Sequence, residues 1–328
     1  SHWITQAGRP RRYDTRFFIA EAPARQTPSH DGEELVSHLW IRPGEAIERS
    51  SRGELNLMFP TMKTLESIAK MRDVAAAMKS ARPPRPMPVM TPHIGIGQAG
   101  KKFLVPGDFA YAEVGKLDPA QKGTASYEII PGTVVQLSNR VQRLTAPNPG
   151  MMTGPGTNTY LIGDAASGVA VIDPGPPDPL HTARIIDAAA GPIRWILCTH
   201  THMDHSPGAA LLKERERLAM AGITLRAIHT PGHASNQICY LLEEERMLFT
   251  GDHIMQGSTV VINPPDGDMS LYFASLERLY KENLEWLAPG HGFLMARPHE
   301  IVERLIVHRR NRENKVVNAL RGAGEGTV

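Results

Sequence analysis

Cysteine is nearly absent from this sequence: the 328 residues carry two, Cys198 and Cys239. Two thiols cannot build a disulfide framework, so a reducing interior is expected, and the expected localisation is cytoplasmic. An excess of one charge is also lacking. The 36 lysines and arginines against 34 aspartates and glutamates leave a formal net charge of +2. That balance gives bulk electrostatics no reason to imply nucleic acid or an anionic membrane. No run approaches the ~18 consecutive apolar residues of a membrane span. No basic-then-apolar leader opens Ser1-His2-Trp3-Ile4, so secretion has no support. Internal repeats are missing too. What is present is a globular mixture, 41% hydrophobic and 21% charged, in a length that suggests about two domains.

Phe17-Phe18-Ile19-Ala20 and residues 35–41 are rich in β-formers and read as strands, and Pro43-Gly44-Glu45 as a turn opening a short helix. From 61 to 81, Leu65, Ile68, Met71, Ala75 and Met78 recur at helical spacing, which predicts one helix with one packed face. Arg82-Pro83-Pro84-Arg85-Pro86-Met87-Pro88 then breaks regular structure, since proline can neither continue a helix nor join a sheet interior. A linker is expected over 82–97. Beyond it, apolar runs at 103–105, 133–137, 140–144, 159–162 and 169–172 are bounded by turn residues and read as strands. Helices are expected over 178–190 and from about 208, with strands at 195–198, 223–228, 237–242 and 247–249. Strands before, between and after helices predict an α/β sandwich. Residues 298–320 read as a helix with Ile301, Val302, Leu305, Ile306, Val316, Val317 and Leu320 as apolar positions. Its arginines and lysine (Arg304, Arg309, Arg310, Arg312, Lys315, Arg321) read as a solvated face, with phosphate contact as the alternative.

The 14 histidines are far from evenly spread. Directly after the apolar run Trp195-Ile196-Leu197-Cys198 comes Thr199-His200-Thr201-His202-Met203-Asp204-His205. Chance supplies such a string about 0.001 times in a chain of this composition, far below most short motifs. Imidazole and carboxylate suit Zn²⁺ or a similar first-row ion, and a loop beyond a strand end can aim them at one point. Thr230-Pro231-Gly232-His233, Thr250-Gly251-Asp252 and Ala288-Pro289-Gly290-His291-Gly292 repeat one design of strand, turn, ligand. The glycines around His291 let backbone come close to a ligand. Cys198 and Cys239 lie in apolar strands and read as core. His229 and His253 read as packed or supporting residues. His2, His30, His38, His93, His181, His299 and His308 lack ligand-like companions and read as surface or core.

These motifs, in this order and preceded by Asp173-Pro174-Gly175, resemble the signature of the metallo-β-lactamase superfamily over about residues 131–303. The resemblance implies an αββα sandwich, two mixed sheets with helices outside, and a dinuclear metal site at one edge. It implies His200, His202 and His233 as ligands of a first ion, and Asp204, His205 and His291 as ligands of a second. Asp252 would bridge both, so Asp204 and Asp252 are the carboxylates expected in catalysis, and Asp173 would orient ligands from outside. Two divalent ions are implied, Zn²⁺ first, with Mn²⁺ and Fe²⁺ compatible with the same donors. A hydroxide shared between them would attack an ester, thioester or phosphodiester without a serine or cysteine nucleophile. Within the superfamily, aspartate at position 252 is typical of glyoxalase-II-like thioesterases, phosphodiesterases and nucleases rather than of antibiotic-hydrolysing members. The 38 residues between Asp252 and His291 are too few for the large inserted domain of its two-lobed nucleases. Gly156-Thr157-Asn158-Thr159-Tyr160-Leu161, Gly251-Asp252-His253 and the C-terminal helix are similar to the small group containing the mitochondrial single-stranded-RNA endonuclease. A small ester or thioester and single-stranded RNA therefore stand side by side as expected substrates. The competing class is a non-catalytic, metal-stabilised binding or assembly module.

Residues 3–80 resemble the second half of a Nudix domain, nearest the coenzyme A diphosphatase branch. The resemblance is carried by Asp14-Thr15-Arg16-Phe17-Phe18-Ile19-Ala20, Asp31-Gly32-Glu33 to Trp40, and Pro60-Thr61-Met62-Lys63-Thr64-Leu65. The Nudix box of spaced glutamates occurs nowhere, so pyrophosphate chemistry is not expected. A small α+β region that docks on the hydrolase or mediates assembly, including homo-oligomers, is expected instead. The expected division is a partial Nudix-like region over 1–81, a Pro-rich linker over 82–97, the hydrolase domain over 98–297 and a basic helix over 298–328. Only 27 residues separate His205 from His233. That brevity predicts a segment missing from the sequence near 212–217, as the Nudix box is missing from its first part.

Overall fold

The computed structural model describes residues 1–328 apart from 24, 26, 28, 34–36, 83–86, 190, 210–222 and 324–328. The chain divides into two units, Ser1–His93 and Ile94–Val328. In the first, β1 (His2–Ile4) pairs antiparallel with β2 (Asp14–Arg16) and parallel with β3 (Val89–Met90). The strand expected at 17–20 thus lies three residues earlier. The ladder ends where Phe17 N donates to the Ser1 carbonyl at 2.8 Å, and Phe18 is left 90% exposed. Residues 37–41 of the strand expected over 35–41 are irregular, and Leu35 and Val36 lie outside the described residues.

Helix α1 (Pro43–Ser51) begins at the expected turn. The single helix expected over 61–81 is two, α2 (Phe59–Ala69) and α3 (Val74–Ala81). Asp73 divides them: its Oδ1 accepts from Ala76 N at 2.7 Å, an N-cap that starts a new helix where spacing alone continued the old one. The expected linker over 82–97 is shorter, because Val89–Met90 joins the sheet edge and β4 (His93–Gly97) forms a hairpin with β5 (Gly100–Leu104). Proline bars a residue from donating to a ladder, but it does not bar its neighbours at an edge. Pro83, Pro84 and Pro86 lie outside the described residues.

After α4 (Tyr111–Leu117), the second unit builds two five-stranded sheets. One contains β6 (Val134–Gln136), β7 (Val141–Thr145), β8 (Asn158–Asp164), β9 (Gly168–Ile172) and β10 (Ile193–Leu197), in the spatial order β10-β9-β8-β7-β6. Helix α5 (Pro179–Ala189) connects β9 to β10, which pair in parallel. The other contains β11 (Leu225–His229), β12 (Ile238–Leu242), β13 (Met247–Gly251), β14 (Trp286–Pro289) and β15 (Met295–Ala296), in sequence order. Helix α6 (Met269–Leu279) connects the parallel pair β13 and β14, and α7 (Pro298–Ala323) follows β15.

Alternation along the strands sorts side chains into layers. Tyr160 and Ile162 of β8 meet Tyr240 and Leu242 of β12 and Phe249 of β13 in the core between the sheets. The intervening Leu161 faces outward onto Ile185 and Ala189 of α5. On the other side, Leu241, Leu248 and Leu287 face Tyr272, Leu276 and Leu279 of α6 and Val302 of α7. Each fully buried leucine or isoleucine stabilises this αββα arrangement by about 1.5–3 kcal/mol relative to exposure.

Helix α7 departs from expectation at its far end. Ile301, Val302, Leu305 and Ile306 pack, but residues 310–321 are exposed throughout, including Val316, Val317 and Leu320. Arg309, expected on a solvated face, is buried: its Nη2 donates to the Val260 carbonyl, and its guanidinium lies 5.5 Å from the centre of the Tyr272 ring. The helix expected from about 208 is described only at 208–209, and the missing segment expected near 212–217 lies outside the described residues. Among the described residues, no helix is long and apolar enough to cross a membrane.

Candidate metal centre

The polar residues singled out in the sequence gather where strands end. Asp173 follows β9, His200 to His205 follow β10, His233 follows β11, Asp252 follows β13 and His291 follows β14. The parallel pairing of β9 with β10 sets Asp173 beside the His200 loop, and that of β13 with β14 sets Asp252 beside His291. Three clusters result: His200 with His202 and His233; His200 with His205 and Asp252; and Asp204 with His205 and His291. In each, the donor atoms lie within 4.8 Å of one another.

Hydrogen bonds on the outer nitrogens decide which imidazole atoms face inward. His205 Nδ1 donates to Asp173 Oδ2 at 2.9 Å, and His291 Nδ1 to the Gly156 carbonyl at 3.1 Å. His233 Nδ1 donates to the Val261 carbonyl at 2.7 Å. His200 Nδ1 donates to Thr199 Oγ1 at 3.0 Å, and that hydroxyl donates in turn to Asp173 Oδ2 at 2.8 Å. A carboxylate, two carbonyls and a hydroxyl thus hold four histidines by Nδ1 and turn each Nε2 toward the clusters. His202 is the exception in geometry. Its Nδ1 faces His200 Nε2 at 2.9 Å and His233 Nε2 at 3.2 Å.

Asp252 lies between the clusters. Its Oδ1 is 3.4 Å from His205 Nε2 and 3.3 Å from His291 Nε2, and its Oδ2 is 3.9 Å from His233 Nε2. Asp204 Oδ2 is 3.3 Å from His205 Nε2 and 3.4 Å from His291 Nε2, and accepts from Thr157 Oγ1 at 3.3 Å. His205 Nε2, His291 Nε2 and Asp252 Oδ1 are buried with no hydrogen-bond partner. Buried polar atoms are almost always paired, so three orphans facing one point call for a ligand. A divalent cation, which would displace their protons, fits them: imidazole nitrogens and carboxylate oxygens converge, and each imidazole is held by its other nitrogen.

Electrostatics agree. Burial pushes His200 down to about 2, aided by the charge at His205, so its ring stays neutral and ready to ligate. Burial acts against protonation at His205 and His291 as well, but carboxylates outweigh it there. Asp173 chiefly raises His205 well above the usual imidazole range, and Asp204 and Asp252 raise His291 to about 9. Burial would raise Asp204 and Asp252, yet the same two imidazoles hold both below the usual carboxylate range. The cluster is one that stores opposite charges at contact distance.

Other histidines stand apart. His253 is buried against the Tyr272 ring, 4.8 Å between centres, and His229 Nε2 lies 3.0 Å from the Ser235 carbonyl. Cys198 and Cys239 are free, and burial pushes each thiol up to about 12. Sequence reading missed Thr199, Thr157 and the carbonyls of Gly156 and Val261. The threonines adjoin motif residues and were open to discovery; a carbonyl carries no signal in a sequence. Backbone at Gly290 runs close against the cluster: a Cβ there would meet Asp252 Oδ1 at 2.7 Å and His205 Cε1 at 2.7 Å.

The metallo-β-lactamase superfamily model matches residues 152–219 and 215–291, which include every one of these clustered histidines and aspartates. A lactamase-like protein of Pestalotiopsis microspora is 35% identical over 215 residues, 57% of this chain and 65% of that protein. An atrochrysone carboxyl ACP thioesterase of Aspergillus chevalieri is 31% identical over 227 residues, 60% of this chain and 72% of that protein. The chain therefore spans about two thirds of the length of these relatives. In the fold, a β-lactamase domain protein from Burkholderia ambifaria superposes with a TM-score of 0.51 at 19% identity, covering 58% of this chain and 80% of that one. The chain belongs to the metallo-β-lactamase superfamily, a family of hydrolases.

Proposed function

We propose that this protein is a dinuclear-metal-dependent hydrolase of acyl thioesters. The observation that carries the reading is the set of inward-facing donors: His205 Nε2, His291 Nε2 and Asp252 Oδ1 are buried and make no hydrogen bond. His200, His202 and His233 would hold one ion, Asp204, His205 and His291 the other, and Asp252 both. Bound divalent ions would supply Lewis acidity and make water a nucleophile at neutral pH. The chain's own residues do the rest. Asp173 and Thr199 fix the rings of His205 and His200, and the Gly156 and Val261 carbonyls fix those of His291 and His233. Asp252, held ionised beside His205 and His291, offers a permanent negative charge between the clusters. Cys239 is buried and Cys198 half-buried, and burial pushes each thiol up to about 12, so a cysteine nucleophile has no part.

A thioester is favoured over RNA by two considerations. Relatives 28–31% identical are named acyl-carrier-protein thioesterases. The basic helix also offers phosphate less than its composition suggests: Arg309 is buried on Val260, and Arg310 pairs with Glu277 at 3.0 Å. For residues 1–81, the lack of a Nudix box supports assembly rather than pyrophosphate chemistry, which sedimentation of the full chain would test. The test of function is turnover of a generic acyl thioester, an aryl ester and a labelled single-stranded RNA by zinc-loaded protein. Hydrolysis of the thioester well above the other two is the expected result. RNA cleavage that falls steeply with salt would replace this reading with the nuclease one. No turnover on any substrate by metal-loaded protein would favour a binding module.

A further inference from the structure

Beside the loop that carries His291 lies an ion pair sealed from solvent. Arg143 of β7 and Glu113 of α4 are each 1% exposed. They bond through both arms, Nη1 to Oε2 at 2.6 Å and Nη2 to Oε1 at 2.9 Å. Three successive residues after His291 touch this pair. Arg143 Nη1 donates to the Gly292 carbonyl at 3.5 Å, the guanidinium lies 5.7 Å from the centre of the Phe293 ring, and Leu294 N donates to Glu113 Oε2 at 2.8 Å.

The loop needs such a hold. His291 stands between two glycines, and Gly292 has φ +100°, a conformation that local preference does not enforce. Upstream, Asn158 N donates to the Gly290 carbonyl at 2.7 Å and Tyr160 OH to the Pro289 carbonyl at 2.7 Å. Downstream, Asn158 Nδ2 donates to the Gly292 carbonyl at 2.8 Å, Gln256 Oε1 accepts from Phe293 N at 3.0 Å, and the ion pair adds a further grip that reaches Leu294. Removing both charges from water is costly, and apolar residues of similar volume often serve stability as well or better. Arg143 Nε moreover stays buried without a partner. Stability alone does not account for the pair; a fixed position does. Both residues precede the first residue matched by the superfamily model, at 152, so the hold comes from outside the matched motif region.

We propose that Arg143 and Glu113 are positioning residues for His291: together they fix its ring relative to Asp204 and Asp252, and so set affinity at the second ion position. The inference rests on the metal-site reading above. Its test is zinc titration of the full-length apo protein against a chromophoric chelator, with thermal unfolding measured in parallel. The variants are the paired apolar replacement Arg143→Met with Glu113→Leu, and Glu113→Gln alone. For the pair, the first equivalent should bind as in the parent protein. The second should weaken by roughly 10–100-fold, the range for groups that orient ligands, while the unfolding midpoint stays within a few degrees. Glu113→Gln retains an acceptor for Leu294 N and should show a smaller loss in the same direction, which carries the test should the pair not fold. Two equivalents bound with parent affinity in Glu113→Gln and the pair, or both equivalents weakening in step with the midpoint, would overturn the proposal. A parent protein that binds no second equivalent would instead overturn the metal-site reading.

Discussion

Two buried polar regions of the second unit invite comparison. At the strand ends, histidines and aspartates crowd together with His205 Nε2, His291 Nε2 and Asp252 Oδ1 unpaired. Against the backbone just after His291, Arg143 and Glu113 meet through two short bonds, and both Glu113 oxygens are used. Both regions sit between layers that apolar side chains would fill more cheaply. The difference lies in what is left over. The pair closes on itself and acts on backbone, whereas the cluster points its free atoms at a common space. A lone orphan such as Arg143 Nε does not speak for a ligand; several converging on one space do.

The largest expected effect comes from removing the charge between the clusters. Asp252→Ala should lose the second metal equivalent and lower turnover by more than the roughly 100-fold upper range for outer groups, with the fold retained because strands and core are untouched. Metal analysis alongside turnover and unfolding checks this. Asp173→Asn is next. Its Oδ1 and Oδ2 receive Thr199 N, Thr199 Oγ1 and His205 Nδ1, so losing its charge should weaken metal binding about 10–100-fold. Metal affinity left unchanged would show that Asp173 has no part in holding the ions. The smallest effect is expected at the cysteines. Burial raises both thiols to about 12, so at pH 8 the reactive thiolate is scarce, and it becomes plentiful only as the pH nears 12. Native protein should resist alkylation at pH 8 and react only once unfolded, read by mass spectrometry.

The site was more legible than its supports. His200 to His205 fall in one loop, and the turns at His233, Asp252 and His291 each follow an apolar run, so period and punctuation were enough to find them. Most strands of the two sheets were readable for the same reason. Helix α4, with Gly115 inside it, lacked a clear helical stripe and went unseen, whereas helix α6 carries one at Met269, Tyr272, Leu276 and Leu279 that the reading passed over. Asp73 was invisible as a cap because the apolar spacing ran straight through it. Arg309 shows the opposite failure. A basic residue reads as solvated unless an aromatic ring and a carbonyl wait for it, and Tyr272 and Val260 are too distant in sequence to be foreseen. The Arg143–Glu113 pair had no signature at all, since its meaning depends on residues 292–294 arriving between β7 and α4.

Stepwise zinc reconstitution of metal-free protein, with thioester turnover followed at each addition, tests the central claim most directly. The two-cluster account predicts two equivalents taken up tightly, with turnover rising mainly as the second binds, because Asp252 joins the clusters only when both are filled. Saturation at a single equivalent with full turnover would contradict it.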